Sequence, residues 1–252
     1  MNVQNKVIAV TGGAGGIGSA IVRTLCEKGA EVWILARRLA PAEELAGDLN
    51  GKGLRCHALE ADVSREEDWQ RATEAIFSAC GRLDAVVNAA AINIRKSVLD
   101  MSQAEWSEMM RVNTGSVFLS CKFAIPIMKE QPTGGTIINI SSVCGLVGHK
   151  LTPEAYTASK GAVTQLSRAI AARYGKWNIR CNAIHPSTVD TPFVAAVMGD
   201  PVKRQERLDE QPLNHRFATV DDVANAVLYL ASDEGSFING CALTVDGGTT
   251  CY

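Results

Sequence analysis

Within residues 141–160, SSVCGLVGHKLTPEAYTASK, Tyr156 and Lys160 stand four apart. On a helix that spacing puts both side chains on one face, with the ammonium able to sit under the phenol. A free phenol loses its proton near pH ~10, and a neighbouring cation favours the charged form, so the pair describes an acid/base group for work near neutral pH. Ser142 follows a strand-like run at 136–140 and precedes the pair by a loop long enough to fold back and bring its hydroxyl to the same point. Taken alone, YxxxK is also what an ordinary exposed surface pair looks like, and a motif this short gains meaning only from its context.

That context begins at residues 6–10, KVIAV, a continuous apolar run ending in Thr11 and glycines, as a strand buried on both faces does. Ile17, Ala20, Ile21, Thr24, Leu25 and Lys28 then fall at helical spacing, with Gly29 as C-terminal cap. The stretch 11–18, TGGAGGIG, therefore lies between a strand and a helix. Glycines there let the backbone approach a pyrophosphate, and the helix N-terminus offers free N–H groups and a partial positive charge. Gly13, Gly15 and Gly18 fit GxGxxG, whereas Thr11, Gly12, Gly16 and Gly18 fit TGxxxGxG. No Lys-Ser/Thr follows, which excludes a Walker-type nucleotide loop. On the loop alone, a glycine turn serving close helix–strand packing remains the alternative.

A second strand is expected at 31–36. About 20 residues past the glycines, where an NAD site carries an acid for the ribose 2′-hydroxyl, the chain reads Ala36-Arg37-Arg38. A carboxylate repels a 2′-phosphate and a guanidinium fork binds one, so NADP(H) is favoured over NAD(H). Solvated surface arginines and NAD(H) use form the other reading.

The remaining pattern supplies the frame. A helix is expected from Pro41 through Leu45 and Leu49, then a strand at 54–59 leading to Asp62-Val63. Ser64 and Glu67 read as a capping box for a helix through Trp69, Ala72, Thr73, Ile76 and Phe77, stopped by Gly81. A strand at 84–87 runs into Asn88-Ala89-Ala90-Ala91. Ser102 and Glu105 cap a helix through Trp106, Met109, Met110, Asn113, Val117 and Phe118, which Pro126 should kink. Asn113 is unfavourable inside a helix by propensity, which points to a polar task. The Tyr156 helix continues to near Gly175, a strand at 179–184 is broken by His185-Pro186, and 187–216 lacks clear periodicity, as a lid or binding loop would. A helix at 220–230 capped by Thr219 and a strand at 242–245 close the pattern.

Strands and helices alternate throughout, which implies an α/β fold: one Rossmann-like domain over 1–252, a doubly wound parallel sheet with helices on both faces. Its dinucleotide-binding part spans about 1–150 and its catalytic and substrate-loop part about 136–252. A net charge of −2 with no basic run argues against nucleic-acid and membrane partners. No 18-residue apolar span or export signal is evident, and the eight cysteines are scattered without metal-ligand spacing. They read as reduced thiols of a cytoplasmic protein without a metal.

Together the glycine loop at Thr11, Gly12, Gly16 and Gly18, Asp62-Val63, the strand end at Asn88, Asn113, Ser142 and the Tyr156/Lys160 pair resemble the classical short-chain dehydrogenase/reductase family, over nearly the whole chain. The resemblance implies that Tyr156 is the general acid in ketone reduction and the base in alcohol oxidation. By the same resemblance Lys160 lowers the pKa of Tyr156 and hydrogen-bonds the nicotinamide ribose, Ser142 polarises the substrate oxygen, and Asn113 positions a water in a proton relay. It also implies coenzyme contacts from Gly12, Gly16, Ile17, Gly18, Asp62, Val63, Asn88 and Ala90, with Val189 and Thr191 at the carboxamide. Three departures stand out: Ala89 to Ala91 where the family has Asn-Ala-Gly, Pro186-Ser187 where it has Pro-Gly, and thirteen residues between Ser142 and Tyr156. The last lets Ser141 compete with Ser142.

The reading that follows is an NADP(H)-dependent enzyme interconverting a hydrophobic secondary alcohol and its ketone. Ile94, Cys144, His149, Phe193, Val194 and Met198 are its candidate substrate-pocket residues, and the apolar character of most of this set suggests a neutral substrate. The alternatives are an NAD-dependent alcohol dehydrogenase of a degradative pathway, a 3-oxoacyl-thioester reductase using the basic cluster Lys203, Arg204 and Arg207 as a carrier patch, and a non-catalytic cofactor-sensing protein. A homotetramer or homodimer through the helices around Asn113 and Leu166 is the assembly that the family resemblance suggests.

Overall fold

Five consecutive buried residues, VIAVT, form the central strand β1 (Val7–Thr11). In the computed structural model, which describes residues 1–195 and 199–251, β1 lies between β2 (Glu31–Ala36) and β4 (Ala85–Asn88). With β3 (Arg55–Glu60), β5 (Gly135–Ile140), β6 (Ile179–Pro186) and β7 (Ala242–Val245) the order is β3-β2-β1-β4-β5-β6-β7, every pair parallel. The sense of winding reverses between β1 and β4, and such a switch point opens a crevice at the carboxyl ends of the strands.

Apolar residues on both sides of the strands require cover on both faces. One layer joins Ile21 and Leu25 of α1 (Gly16–Glu27), Leu45 and Leu49 of α2 (Leu39–Asn50), and Val223 and Val227 near the C-terminus. The other joins Trp69 and Ile76 of α3 (Glu66–Cys80) with Val117 to Met128 and, from a later helix, Val163 and Ala171. The expected doubly wound architecture is the observed one.

Local chemistry accounts for three departures from the sequence pattern. Ser64 does not cap α3: its hydroxyl bonds Asp62 Oδ1 at 2.5 Å, and Arg65 occupies the cap position without a side-chain bond. The helix opened by the Ser102/Glu105 box is interrupted: α4 (Gln103–Met110) passes through one π-type turn, Arg111–Gly115, into α5 (Ser116–Glu130), which carries Pro126 inside it. Finally, 187–216 holds a helix that periodicity did not reveal. After α6 (Glu154–Tyr174) and β6, α7 (Pro201–Asp209) starts at Asp200, whose carboxylate accepts from Val202 N and Lys203 N at 3.0 and 3.2 Å, with Pro201 at the first helical position. α8 (Val220–Ala231) has the expected Thr219 cap, reinforced by Asp222. Val197 and Met198 lie outside the described residues.

Candidate active site

The β1–α1 turn is built for close backbone approach. Gly12 has φ +65°, and a Cβ there would stand 2.9 Å from the Ala90 backbone; at Gly18 it would stand 2.1 Å from the Gly12 carbonyl. No side chain caps α1, whose N-cap is Gly15. The first N–H groups of α1 therefore lie free at the wall of a cavity of about 960 Å³. That is a fit for a dinucleotide pyrophosphate, and Arg37 and Arg38 extend the wall from the start of α2, Arg38 being its N-cap. Asp62 and Val63 border the same region. Burial alone would raise the Asp62 carboxyl, but hydrogen bonds from Ser64 and the charges of Arg111 and Arg37 bring it below its usual value.

At the other end, α6 presents Tyr156 and Lys160 to the cavity, with the Lys160 ammonium 5.7 Å from the phenol ring centre. Lys160 is 3% exposed and donates to the Ile140 carbonyl at 2.7 Å. Burial brings its pKa down to about 8. Burial also raises the Tyr156 phenol, with neighbouring Cys144 adding to the rise, and Ser142 and Arg95 pull it partly back. The sequence reading made Lys160 the cation that lowers the phenol; in the structure burial outweighs any such help, and the offsetting groups are Ser142 and Arg95.

Ser141 and Ser142 have different commitments. Ser141 is 4% exposed and its hydroxyl donates to the Lys160 carbonyl at 2.9 Å. The Ser142 hydroxyl accepts only a 3.2 Å bond from Cys144 N and stands next to the phenol. His185 fixes the Ser142 backbone: its Nδ1 donates to the Ser142 carbonyl at 2.7 Å, and burial keeps the ring neutral by lowering its pKa. Asn113 sits in the π-type turn, a feature common at functional sites. Its amide donates to the Ile92 carbonyl and Ser159 Oγ, both at 3.0 Å, and accepts from Ile92 N at 2.8 Å. The Asn113 side chain thus ties the segment after β4 to α6 from behind and does not line the cavity.

The other expected residues divide in the same way. Gly16, Ile17, Ala90, Val189, Thr191, Cys144, Phe193 and Val194 all line the cavity. Asn88 does not: it is 3% exposed, and its amide donates to Ser120 Oγ and Asn139 Oδ1 at 2.7 and 2.8 Å, in a polar chain beneath the sheet ends. Ile94 is also off the wall, which Ile92, Asn93 and Arg95 form instead. His149 stands behind it, against Glu210 at 2.8 Å. Met198 lies outside the described residues.

Two charged wall residues are not expected there from the sequence: it does not single out Arg95, and it places Arg207 only in a basic surface cluster. Arg95 reaches the Phe193 carbonyl at 3.2 Å, and Arg207, only 9% exposed, turns from α7 into the cavity. Of the expected basic surface cluster, Lys203 and Arg204 stay exposed, Lys203 paired with Asp200 at 3.2 Å and Arg204 5.6 Å from the Phe217 ring centre. An Asp-Pro helix start at 200–201 was the available signal for α7, although it does not say which face turns inward.

Keeping Lys160 buried and charged has a stability cost. A pKa held at about 8 in place of 10.5 corresponds to about 3 kcal/mol at pH 7. Because the unfolded chain binds the proton more tightly, that cost is fully present below pH ~8 and fades as pH rises from ~8 to ~10.5. The coenzyme-free Lys160→Met variant is expected to melt higher than the parent at pH 7, with the difference shrinking at pH ~10. Equal melting at pH 7 in paired thermal scans would contradict it.

Comparison with known proteins agrees with this geometry. Residues 12–250 match the family model described as enoyl-(acyl carrier protein) reductase. Cyclopentanol dehydrogenase of Comamonas sp. (strain NCIMB 9872) is 38% identical over 248 residues, 98% of each chain. The NADP-dependent (R)-specific alcohol dehydrogenase of Lentilactobacillus kefiri is 36% identical over 250 residues, again 98% of each. The crystal structure of gox2181 superposes with a TM-score of 0.96 at 34% identity, covering 100% of this chain and 98% of that one. With the glycine cradle, the parallel sheet and the Ser142, Tyr156 and Lys160 wall, these matches show that the chain belongs to the classical short-chain dehydrogenase/reductase family and is an oxidoreductase acting on CH–OH groups.

Proposed function

We propose that the protein interconverts a secondary alcohol and its ketone with NADP(H), Tyr156 acting as general acid in one direction and general base in the other. The observation that carries this reading is the shared cavity: Ser142, Tyr156 and Lys160 on one wall, the glycine cradle with Arg37 and Arg38 on another. Bound there, the nicotinamide coenzyme supplies or accepts the hydride. The chain's own residues do the rest. The α1 N-terminus and the two arginines hold the anionic groups, and the Ser142 hydroxyl orients the substrate oxygen toward the phenol. Tyr156 moves the proton at that oxygen, and the Lys160 charge favours phenolate when the phenol gives its proton up. Asn113 and His185 are positioning residues, one fixing Ile92 in the segment after β4 and the other the Ser142 backbone.

Support for NADP(H) over NAD(H) comes from the absence of an acidic residue at Ala36-Arg37-Arg38 and from the NADP-dependent relative. The relatives' names, a cyclopentanol and an (R)-specific alcohol dehydrogenase, favour small secondary alcohols. A homo-oligomer is supported by Trp106 and Phe118, 40% and 54% exposed on α4 and α5. Eight free thiols suit a reducing, cytoplasmic compartment. The deciding experiment is reduction of a panel of cyclic and open-chain ketones by the purified protein, followed through reduced-coenzyme absorbance with NADPH and NADH in parallel. Coenzyme-dependent turnover of ketones supports the reading; no turnover in either direction with either coenzyme defeats it.

A further inference from the structure

We infer that the substrate carries an anionic end, a carboxylate or a sulfonate, held by Arg95 and Arg207 while its carbonyl or hydroxyl carbon lies at Tyr156. This deepens the alcohol–ketone reading and rests on it. Apart from Lys160, which the mechanism uses, these are the cations among the described residues at the catalytic end of the cavity. Among the described lining residues the one carboxylate is Asp62, at the far end beside Arg37. The catalytic end is therefore a pocket with excess positive charge and apolar walls from Leu151, Phe193 and Val194. That pattern suits an apolar body ending in an oxyanion better than a wholly neutral substrate.

Arg207 is poorly satisfied by the protein around it. Its Nη2 donates to Thr152 Oγ1 at 3.1 Å, while Glu210 is 3.5 Å from Nη1. Nη1 also lies 2.6 Å from His149 Nε2. That contact is not a hydrogen bond in the neutral ring: His149 Nδ1 accepts from Leu151 N at 3.0 Å, so the ring proton sits on Nε2 and points at Glu210, 2.8 Å away. One carboxylate is thus shared between an imidazole N–H and a guanidinium, and the guanidinium keeps donors for a ligand. A cation 91% removed from solvent whose one nearby carboxylate is shared with an imidazole is incompletely compensated, and an anion in the cavity completes its partners. Arg95, exposed and, among the described residues, tethered only through the Phe193 carbonyl, can complete a two-arginine clamp.

The test compares kcat/KM of the NADPH-saturated enzyme, and of the NADH-saturated enzyme, for 4-oxocyclohexanecarboxylate, the corresponding sulfonate and the neutral methyl ester. The expected result is a preference of about 10- to 100-fold for an acid over the ester, carried by KM, with planar carboxylate and tetrahedral sulfonate separated by their relative values. In Arg207→Met and in Arg95→Met the acid-to-ester ratio should fall toward one, and Arg207→Lys should restore part of it. Lys203→Met, on the same helix with its ammonium paired to Asp200, should leave the ratio as it is. Equal handling of acid and ester by the parent enzyme, or an undiminished ratio in both arginine variants, overturns the inference while leaving the alcohol–ketone reading intact. If no ketone is turned over, that reading fails instead. Calorimetric titration of cyclohexanecarboxylate against cyclohexanecarboxamide into the enzyme–NADPH complex then decides: selective acid binding lost in Arg95→Met upholds the anion site, and no selectivity refutes it.

Discussion

Tyr156→Phe is expected to lower kcat by about 10²- to 10⁴-fold in both directions while coenzyme dissociation constants stay within about threefold. The substitution removes one oxygen. The ring can keep its packing 6.3 Å from Phe193 and its place above Lys160. What it loses is the group that gives a proton to the nascent alkoxide or takes one from the alcohol. Ser142 has a hydroxyl at the same point but no cation to favour its anion, and Lys160 is committed to the Ile140 carbonyl. Neither can take over the proton transfer. The pH dependence has a definite sign. Burial raises the phenol above its usual value, so the protonated form prevails at neutral pH. Ketone reduction should then be level across neutral pH and fall only in alkali, whereas alcohol oxidation should climb with pH. Pre-steady-state rates in both directions, with coenzyme titrations of the variant, check these statements together. Turnover within a few-fold of the parent would remove Tyr156 from the mechanism.

How much of this site was visible in the chain depends on the range of the interaction that places each residue. The Gly12–Gly18 turn and the Tyr156/Lys160 pair are set by spacing within a few residues, and both lie where the sequence put them. Asn88 is expected on the coenzyme wall through the family resemblance of the strand end it occupies. Which way a strand-end side chain points is decided by partners such as Ser120 and Asn139, distant in sequence. A π-type turn leaves no mark on a 3.6-residue pattern, so Asn113 could be seen as out of place but not as a tie to Ile92 and Ser159. Arg207 reads as surface charge in a run of charged residues. Only the docking of α7 against His149 and Thr152 turns it inward, and with it the apolar pocket expected from Phe193 and Val194 becomes a charged one.

Arg37→Asp is expected to invert coenzyme preference: the parent should bind NADPH about 10²-fold more tightly than NADH, and the variant should bind NADH the more tightly of the two. Arg37 and Arg38 are exposed side chains at the start of α2, where the helix dipole is positive and cations are disfavoured. An anion at that point relieves both the dipole and the like-charge pair, and a ribose 2′-phosphate brings nearly two charges and several acceptor oxygens to a guanidinium fork. An aspartate reverses each of these relations. It repels the phosphate and accepts hydrogen bonds from the ribose hydroxyls of NADH. It suits the helix N-terminus but loses the attraction between Arg37 and Asp62, and the two effects offset, so the free variant should melt close to the parent. Melting separates the two explanations for lost NADPH binding, since a misfolded protein would melt well below the parent and a recharged site would not. Fluorescence titration of both coenzymes, with thermal melts of both proteins, reads all three quantities. If NADH matches NADPH in the parent, Arg37 does not hold a 2′-phosphate. The search for substrates should then begin with NAD-linked alcohol oxidation.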